Sequence, residues 1–176
     1  MTHRMIHTVK KIVSTPLQLS IFLCLSMCLG IGILRFSYTA LLPSTRLMYG
    51  WDHQFASILG SANLLGYLLG AFWAMKLPHN DRLPRIILIA AVSGSVSLLG
   101  CAFAGFAEAW YVFWRIISGI SGGLLMILSP SVVAQCCPPE SRLRINFIGF
   151  SGIGLGVLMA TLFMPWLDHI AVQSAW

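Results

Sequence analysis

The chain has 176 residues, of which 57% are hydrophobic and only 9% charged, with 11 Lys and Arg against 5 Asp and Glu for a net charge of +6. A soluble domain carries about 25% charged residues, so a mean hydropathy of +0.83 excludes a soluble enzyme, a disordered chain and a disulfide-stapled secreted domain. What remains is an integral membrane protein of one domain, all-α and polytopic, with the lipid bilayer as its solvent.

A hydrocarbon core of about 30 Å asks for about 20 apolar residues of helix, and five stretches meet that length. Residues 1–16 form a basic tail. The first span is predicted over 17–42, free of charge as far as Arg35, with Pro43 as its stop. The second covers 55–75 and the third 86–107, both without charge. The fourth covers 110–134 and contains Arg115; the fifth covers 145–167. Residues 169–176 are then an outer tail or the start of a further helix. Strands of a membrane barrel would be about ten residues long and alternate apolar with polar, which these do not. The first apolar stretch is longer than the core of a signal peptide and no A-x-A site follows it, so it reads as an uncleaved span.

The basic residues alternate side by side. Arg4, Lys10 and Lys11 of the tail, Lys76, Arg82 and Arg85 of the second connection, and Arg142 and Arg144 of the fourth fall on one side; the other side has Arg46 alone. This asymmetry predicts a cytoplasmic N-terminus and an outer C-terminus in a bacterial-type inner membrane. Spread over three segments, it is a topology signal and no nucleic-acid footprint. Cys24 and Cys28 lie four apart, but small residues of this kind pack between helices more often than they bind metal. His3, His7, His53, His79 and His169 have no ligand spacing. No metal, cofactor, catalytic residue or disulfide framework is expected, and no enzyme, since no span offers a nucleophile with its base.

Lipid gives helices no hydrophobic drive to associate, so close backbone packing at small residues has to supply it. Gly66 and Gly70 in the second span, Gly119 and Gly123 in the fourth, and Gly152 and Gly156 in the fifth are the candidate packing positions. The polar exceptions are Arg35 and Arg115. Each costs about 2.5–3.5 kcal/mol near mid-membrane on insertion scales, and neither has a carboxylate three or four residues away. Each either snorkels to anchor its helix end or lines a polar cavity. Arg35 shares a face with Tyr38 and Thr39, and Arg115 with Ser118 and Gly119, neighbours that fit a wet cavity better than lipid. Arg35, Tyr38, Asn63, Arg115 and Ser118 are therefore the candidate solute-binding residues; Asn63 alone would more often make an interhelical hydrogen bond, as would Asn146. Two cations with no acid inside a span point to an anionic or zwitterionic small solute.

The segment from Gly30 to Pro43, G-I-G-I-L-R-F-S-Y-T-A-L-L-P, resembles the first helix of the YbfB/YjiJ-like branch of the major facilitator superfamily, G-x-G-R-F-x-Y-T-x-L-L-P, with extra residues before the arginine. Ser61 to Ala71 resembles that branch's second helix. Asp81-Arg82-Leu83-Pro84-Arg85 is similar to the superfamily's D-R-x-G-R loop, Arg115-x-x-x-Gly119 to its fourth-helix motif, and Gly149 to Gly156 to its glycine-rich fifth helix. The resemblance implies the N-terminal half of a major facilitator fold and a secondary transporter working by alternating access, with the first and fourth helices lining the cavity. Those two helices would be equivalent in a three-plus-three inverted repeat. Members have twelve spans in two halves, so five spans are not expected to transport alone. A missing C-terminal half or a homodimer would have to complete the carrier; otherwise the chain is a fragment or a membrane scaffold.

Overall fold

A computed structural model describes residues 15–78, 82–102 and 107–171. The basic residues of the N-terminal tail, His79 to Asp81 of the second connection and the last five residues lie outside these. Among the described residues, five helices are long and apolar enough to cross a membrane: Pro16–Pro43, His53–Lys76, Leu83–Ala102, Glu108–Cys136 and Pro139–Phe163. They are the first to fifth spans.

The first span opens on a capping box, with the Thr15 hydroxyl accepting from the Gln18 backbone and the Gln18 side chain accepting from the Thr15 backbone, so two orphan donors are satisfied together. It is α-helical over Pro16–Met27, π-helical over Cys28–Ile33 and α-helical again over Leu34–Tyr49. The helix does not stop at Pro43, which lies inside it. A proline removes one hydrogen bond, here to the Thr39 carbonyl, and membrane helices tolerate that loss because neighbouring helices compensate. The chain turns instead at Gly50, in the left-handed region at φ 66°, a conformation that costs glycine nothing. Asp52 then caps the second span, its Oδ1 accepting from Phe55 N at 2.6 Å. The prolines of the fourth connection likewise start a helix: the last helix runs over Pro139–Ala171 and carries Arg142 and Arg144 in its opening turns.

Two helix pairs pack backbone to backbone. The Cα atoms of Gly66 and Gly70 face the carbonyls of Ile116 and Ile120, while those of Gly119 and Gly123 face the carbonyls of Asn63 and Tyr67. The second and fourth spans are thereby locked along two turns. In the other pair, Gly152 and Gly156 of the fifth span face the carbonyls of Cys24 and Cys28 in the first, and Gly32 meets Gly156. The third span lies on the fourth, joined by a hydroxyl pair, Ser93 to Ser121 at 2.9 Å, and by Trp110 Nε1 donating to Gly100 O at 2.8 Å. The first and fourth spans meet at the middle, where Leu34, Leu124, Leu125 and Leu128 are buried together.

Candidate functional site

The fourth span presents Arg115, Ser118 and Gly119 on one face, because helical residues three and four apart are neighbours. That face meets both the first and second spans. Ser118 Oγ donates to Leu34 O at 3.0 Å and Arg115 Nη1 to the same carbonyl at 3.4 Å. Asn63, reaching across from the second span, donates through Nδ2 to Arg115 O and Ser118 Oγ, each at 3.2 Å. The Arg115 guanidinium lies over the Tyr38 ring, 4.4 Å from its centroid, and the Tyr38 hydroxyl is fixed by donating to Ala56 O at 2.8 Å. Four of the five sequence candidates, Tyr38, Asn63, Arg115 and Ser118, are thus one connected cluster.

Arg115 is 4% exposed, and its Nε has no hydrogen-bond partner. It does not snorkel; it points among helices. A desolvated cation–π contact contributes up to about 2 kcal/mol and a hydrogen bond about 1 kcal/mol, which together offset most of the insertion cost of about 2.5–3.5 kcal/mol. Among the described residues no carboxylate pairs with it: Asp52, Glu108 and Glu140 all lie at the starts of helices. Arg35 is placed differently. It is exposed, and its guanidinium lies 5.8 Å from the centroid of the Tyr67 ring.

Two cavities flank the cluster and share Tyr38 and Arg115. One, of about 350 Å³, lies against the first and second spans and carries Arg35, Arg46, His53 and Asn63. The other, of about 320 Å³, lies between the first, third and fourth spans with Leu59 of the second at its edge, and is walled by Leu41, Trp51, Leu59, Leu98 and Tyr111, with Ser118 at its polar end. Sequence reasoning missed Arg46, His53, Trp51 and the Leu34 carbonyl. The first three belong to the turn between the first two spans, where composition gives no sign of facing inward. Leu34 contributes only a backbone atom, which no residue type announces.

Five apolar helices around a buried arginine and two solute-sized cavities define a polytopic membrane bundle with an internal site. Residues 27–176 match the family described as "Uncharacterised MFS-type transporter YbfB", and the chain belongs to that family of major facilitator transporters. Among curated relatives, it is 35% identical over 127 residues to the gallate transporter of Pseudomonas putida, covering 68% of this chain and 28% of that protein. It is 28% identical over 128 residues to the glucose transport protein of Synechocystis, covering 71% of this chain and 27% of that protein. With the D-xylose transporter of Levilactobacillus brevis it shares 34% over 103 residues, 57% of this chain and 22% of the relative. The matched segment thus spans 22–28% of the length of these relatives. No solved structure matches it.

Proposed function

We propose that these five spans form the N-terminal bundle of a secondary transporter that moves a small anionic or zwitterionic solute across a bacterial inner membrane by alternating access. The observation that carries this reading is Arg115: a buried cation where three spans meet, with no carboxylate partner among the described residues and a cavity on either side. An intramembrane charge of this kind marks a solute or ion pathway. Arg35, Tyr38, Asn63, Arg115 and Ser118 are the solute-binding residues in this reading, and the glycines serve packing. The names of the relatives, transporters of gallate, glucose and D-xylose, support small organic solutes as cargo. The N-terminus lies in the cytoplasm and the fifth span ends outside.

Alternating access rocks one bundle against another around a site at their interface. The six packing glycines are consumed inside this bundle. The face left for a second bundle is the one around Arg35, Thr39, Ser57, Gly60 and Leu64, all exposed and all on the larger cavity. A C-terminal bundle or a second copy would cover it. Reconstitution into liposomes tests the reading. Saturable uptake is expected when a second bundle is supplied in the same membrane, and none from the isolated monomer. Uptake by the 176-residue chain alone would mean that self-association supplies the second bundle; no uptake in any combination would leave a non-transporting scaffold.

A further inference from the structure

Building on the transporter reading, we propose that the solute is an aromatic carboxylate, its carboxylate held by the guanidinium edge of Arg115 and its ring lodged in the apolar cavity between the first, third and fourth spans.

Charge comes first. Among the described residues no Asp or Glu lines either cavity, while Arg35, Arg46, His53 and Arg115 line the larger one. A cationic solute is repelled there, and a neutral sugar leaves the buried charge of Arg115 uncompensated. A carboxylate neutralises it.

The hydrogen bonds narrow the choice. Arg115 donates through Nη1 to a carbonyl at 3.4 Å, a long bond, and its Nε donates to nothing. Nε together with a terminal nitrogen is the edge that a carboxylate takes with two parallel hydrogen bonds. The present arrangement leaves that edge unused and enclosed, so a carboxylate takes it as the guanidinium turns from the Leu34 carbonyl toward the cavity, and a buried donor without a partner is costly.

The cavity on the third-span side sets the body of the solute. At about 320 Å³ it stands near the lower end of small-molecule sites, which run from about 300 to 1,000 Å³, so one ring fits and a large molecule does not. Its walls are Leu41, Leu59, Leu98, Trp51 and Tyr111. Trp51 and Tyr111 already meet edge to face, with centroids 4.9 Å apart, the geometry aromatic rings prefer. Of the serine and threonine hydroxyls that reach this cavity, Thr45 donates to Leu41 O at 2.8 Å, Ser97 to Gly94 O at 2.6 Å and Ser118 to Leu34 O at 3.0 Å, which leaves Ser37 alone free to donate. A sugar would bury several hydroxyls there without partners, a penalty that a flat apolar ring avoids. Tyr38 lies between the two cavities, stacked on Arg115 and tied to Ala56, and so holds the guanidinium at the mouth of the apolar chamber.

Equilibrium binding of radiolabelled benzoate to the detergent-purified 176-residue chain tests this. Benzoate should bind saturably, and neither benzamide, its neutral isostere, nor D-glucose should displace it. Arg115→Lys should weaken benzoate roughly tenfold or more, because lysine keeps the charge and loses the paired edge. Arg85→Lys, in the first turn of the third span and away from both cavities, should leave binding unchanged. Leu59→Trp fills the apolar chamber and should abolish benzoate binding while acetate still competes for a labelled acetate probe; this variant carries the test if Arg115→Lys does not fold. Equal competition by benzamide, full affinity in Arg115→Lys, or no benzoate binding by folded wild-type chain overturns the proposal. Saturable binding of glucose in place of benzoate overturns the solute class and leaves the transporter reading standing, which the liposome uptake measurement judges separately.

Discussion

Two glycine-to-alanine substitutions should have opposite signs, and the reason lies in what a methyl group would meet. At Gly119 a Cβ would run into the Asn63 carbonyl and would sit 2.7 Å from Tyr67 N. The second span then has to retreat by at least about 0.7 Å to bring Tyr67 N to ordinary contact near 3.4 Å, and by more to clear the nearer Asn63 carbonyl. Asn63 is on the retreating backbone, and its two hydrogen bonds to the fourth span are 3.2 Å long, so a shift of that size takes them past the limit of a useful bond. Overpacking costs about 1–3 kcal/mol, and a buried amide left unpaired costs a further 1–3 kcal/mol or so. The total, about 2–6 kcal/mol, is a large share of what holds an average fold together. At Gly154 nothing lies within 4 Å of the added carbon. Gly154→Ala should therefore gain about 0.5–1 kcal/mol by removing backbone freedom inside a helix. Melting in mild detergent, followed by far-UV circular dichroism, reads both. A drop of about 5–20 °C is expected for Gly119→Ala and a rise of about 1–4 °C for Gly154→Ala, scaled from soluble domains of this size. If Gly119→Ala melts with wild type, the close backbone contact between the second and fourth spans is not what holds them.

Three further outcomes follow from other parts of the chain. A cytoplasm-only fluorescent reporter should light when fused to the N-terminus and stay dark at the C-terminus; light from both ends contradicts the five-span orientation. Deleting Ile33 from the π-helical turn should cost little, since a π turn holds one residue more than an α turn, whereas deleting Phe36 from regular helix should rotate everything before it by about 100° and unfold the bundle; similar losses of melting temperature in the two would refute this. Burial pushes the Cys137 thiol up and the nearby Arg142 guanidinium partly lowers it. In a variant with Cys137 as its sole cysteine, maleimide labelling should therefore be slow at pH 7, rise only toward alkaline pH, and shift further alkaline in Arg142→Gln; a profile that ignores Arg142 would show that its charge does not reach the thiol.

Spans were legible because the bilayer imposes one length on every crossing, and Arg35 and Arg115 stood out because charge in such a stretch is costly. The places where the sequence misled are those where lipid changes the rules. Pro43 reads as a stop in water, yet the helix passes through it to Gly50. The extra residues before Arg35, against the family pattern, were visible as an offset; the π turn over Cys28–Ile33, which takes up one residue, was not. Apolar helices also hide their inward face, since no periodicity separates neighbours from lipid. Nothing in the residues told that Trp51 and Tyr111 would share a cavity with Arg115.

The glycines carry one more lesson, about the two arginines. In an inverted repeat the first span corresponds to the fourth and the second to the fifth, so the second–fourth pair corresponds to the fifth–first pair. The structure builds the two pairs alike. Gly66 and Gly70 face the carbonyls of Ile116 and Ile120; Gly152 and Gly156, again four apart, face those of Cys24 and Cys28. Superposing these contacts makes Cys24 the counterpart of Ile116. Arg115, one residue earlier, then corresponds to Leu23, and Arg35, beyond the π turn with its one extra residue, corresponds to Met126. The arginines occupy equivalent helices but not equivalent positions. Their environments differ accordingly: Arg115 is buried on Tyr38 and the Leu34 carbonyl, while Arg35 stands exposed over Tyr67. Symmetry relates the two helices, and it does not explain why either carries a charge. Each arginine has to be accounted for by its own site, Arg115 by what it holds inside the bundle and Arg35 by what comes to cover the open face.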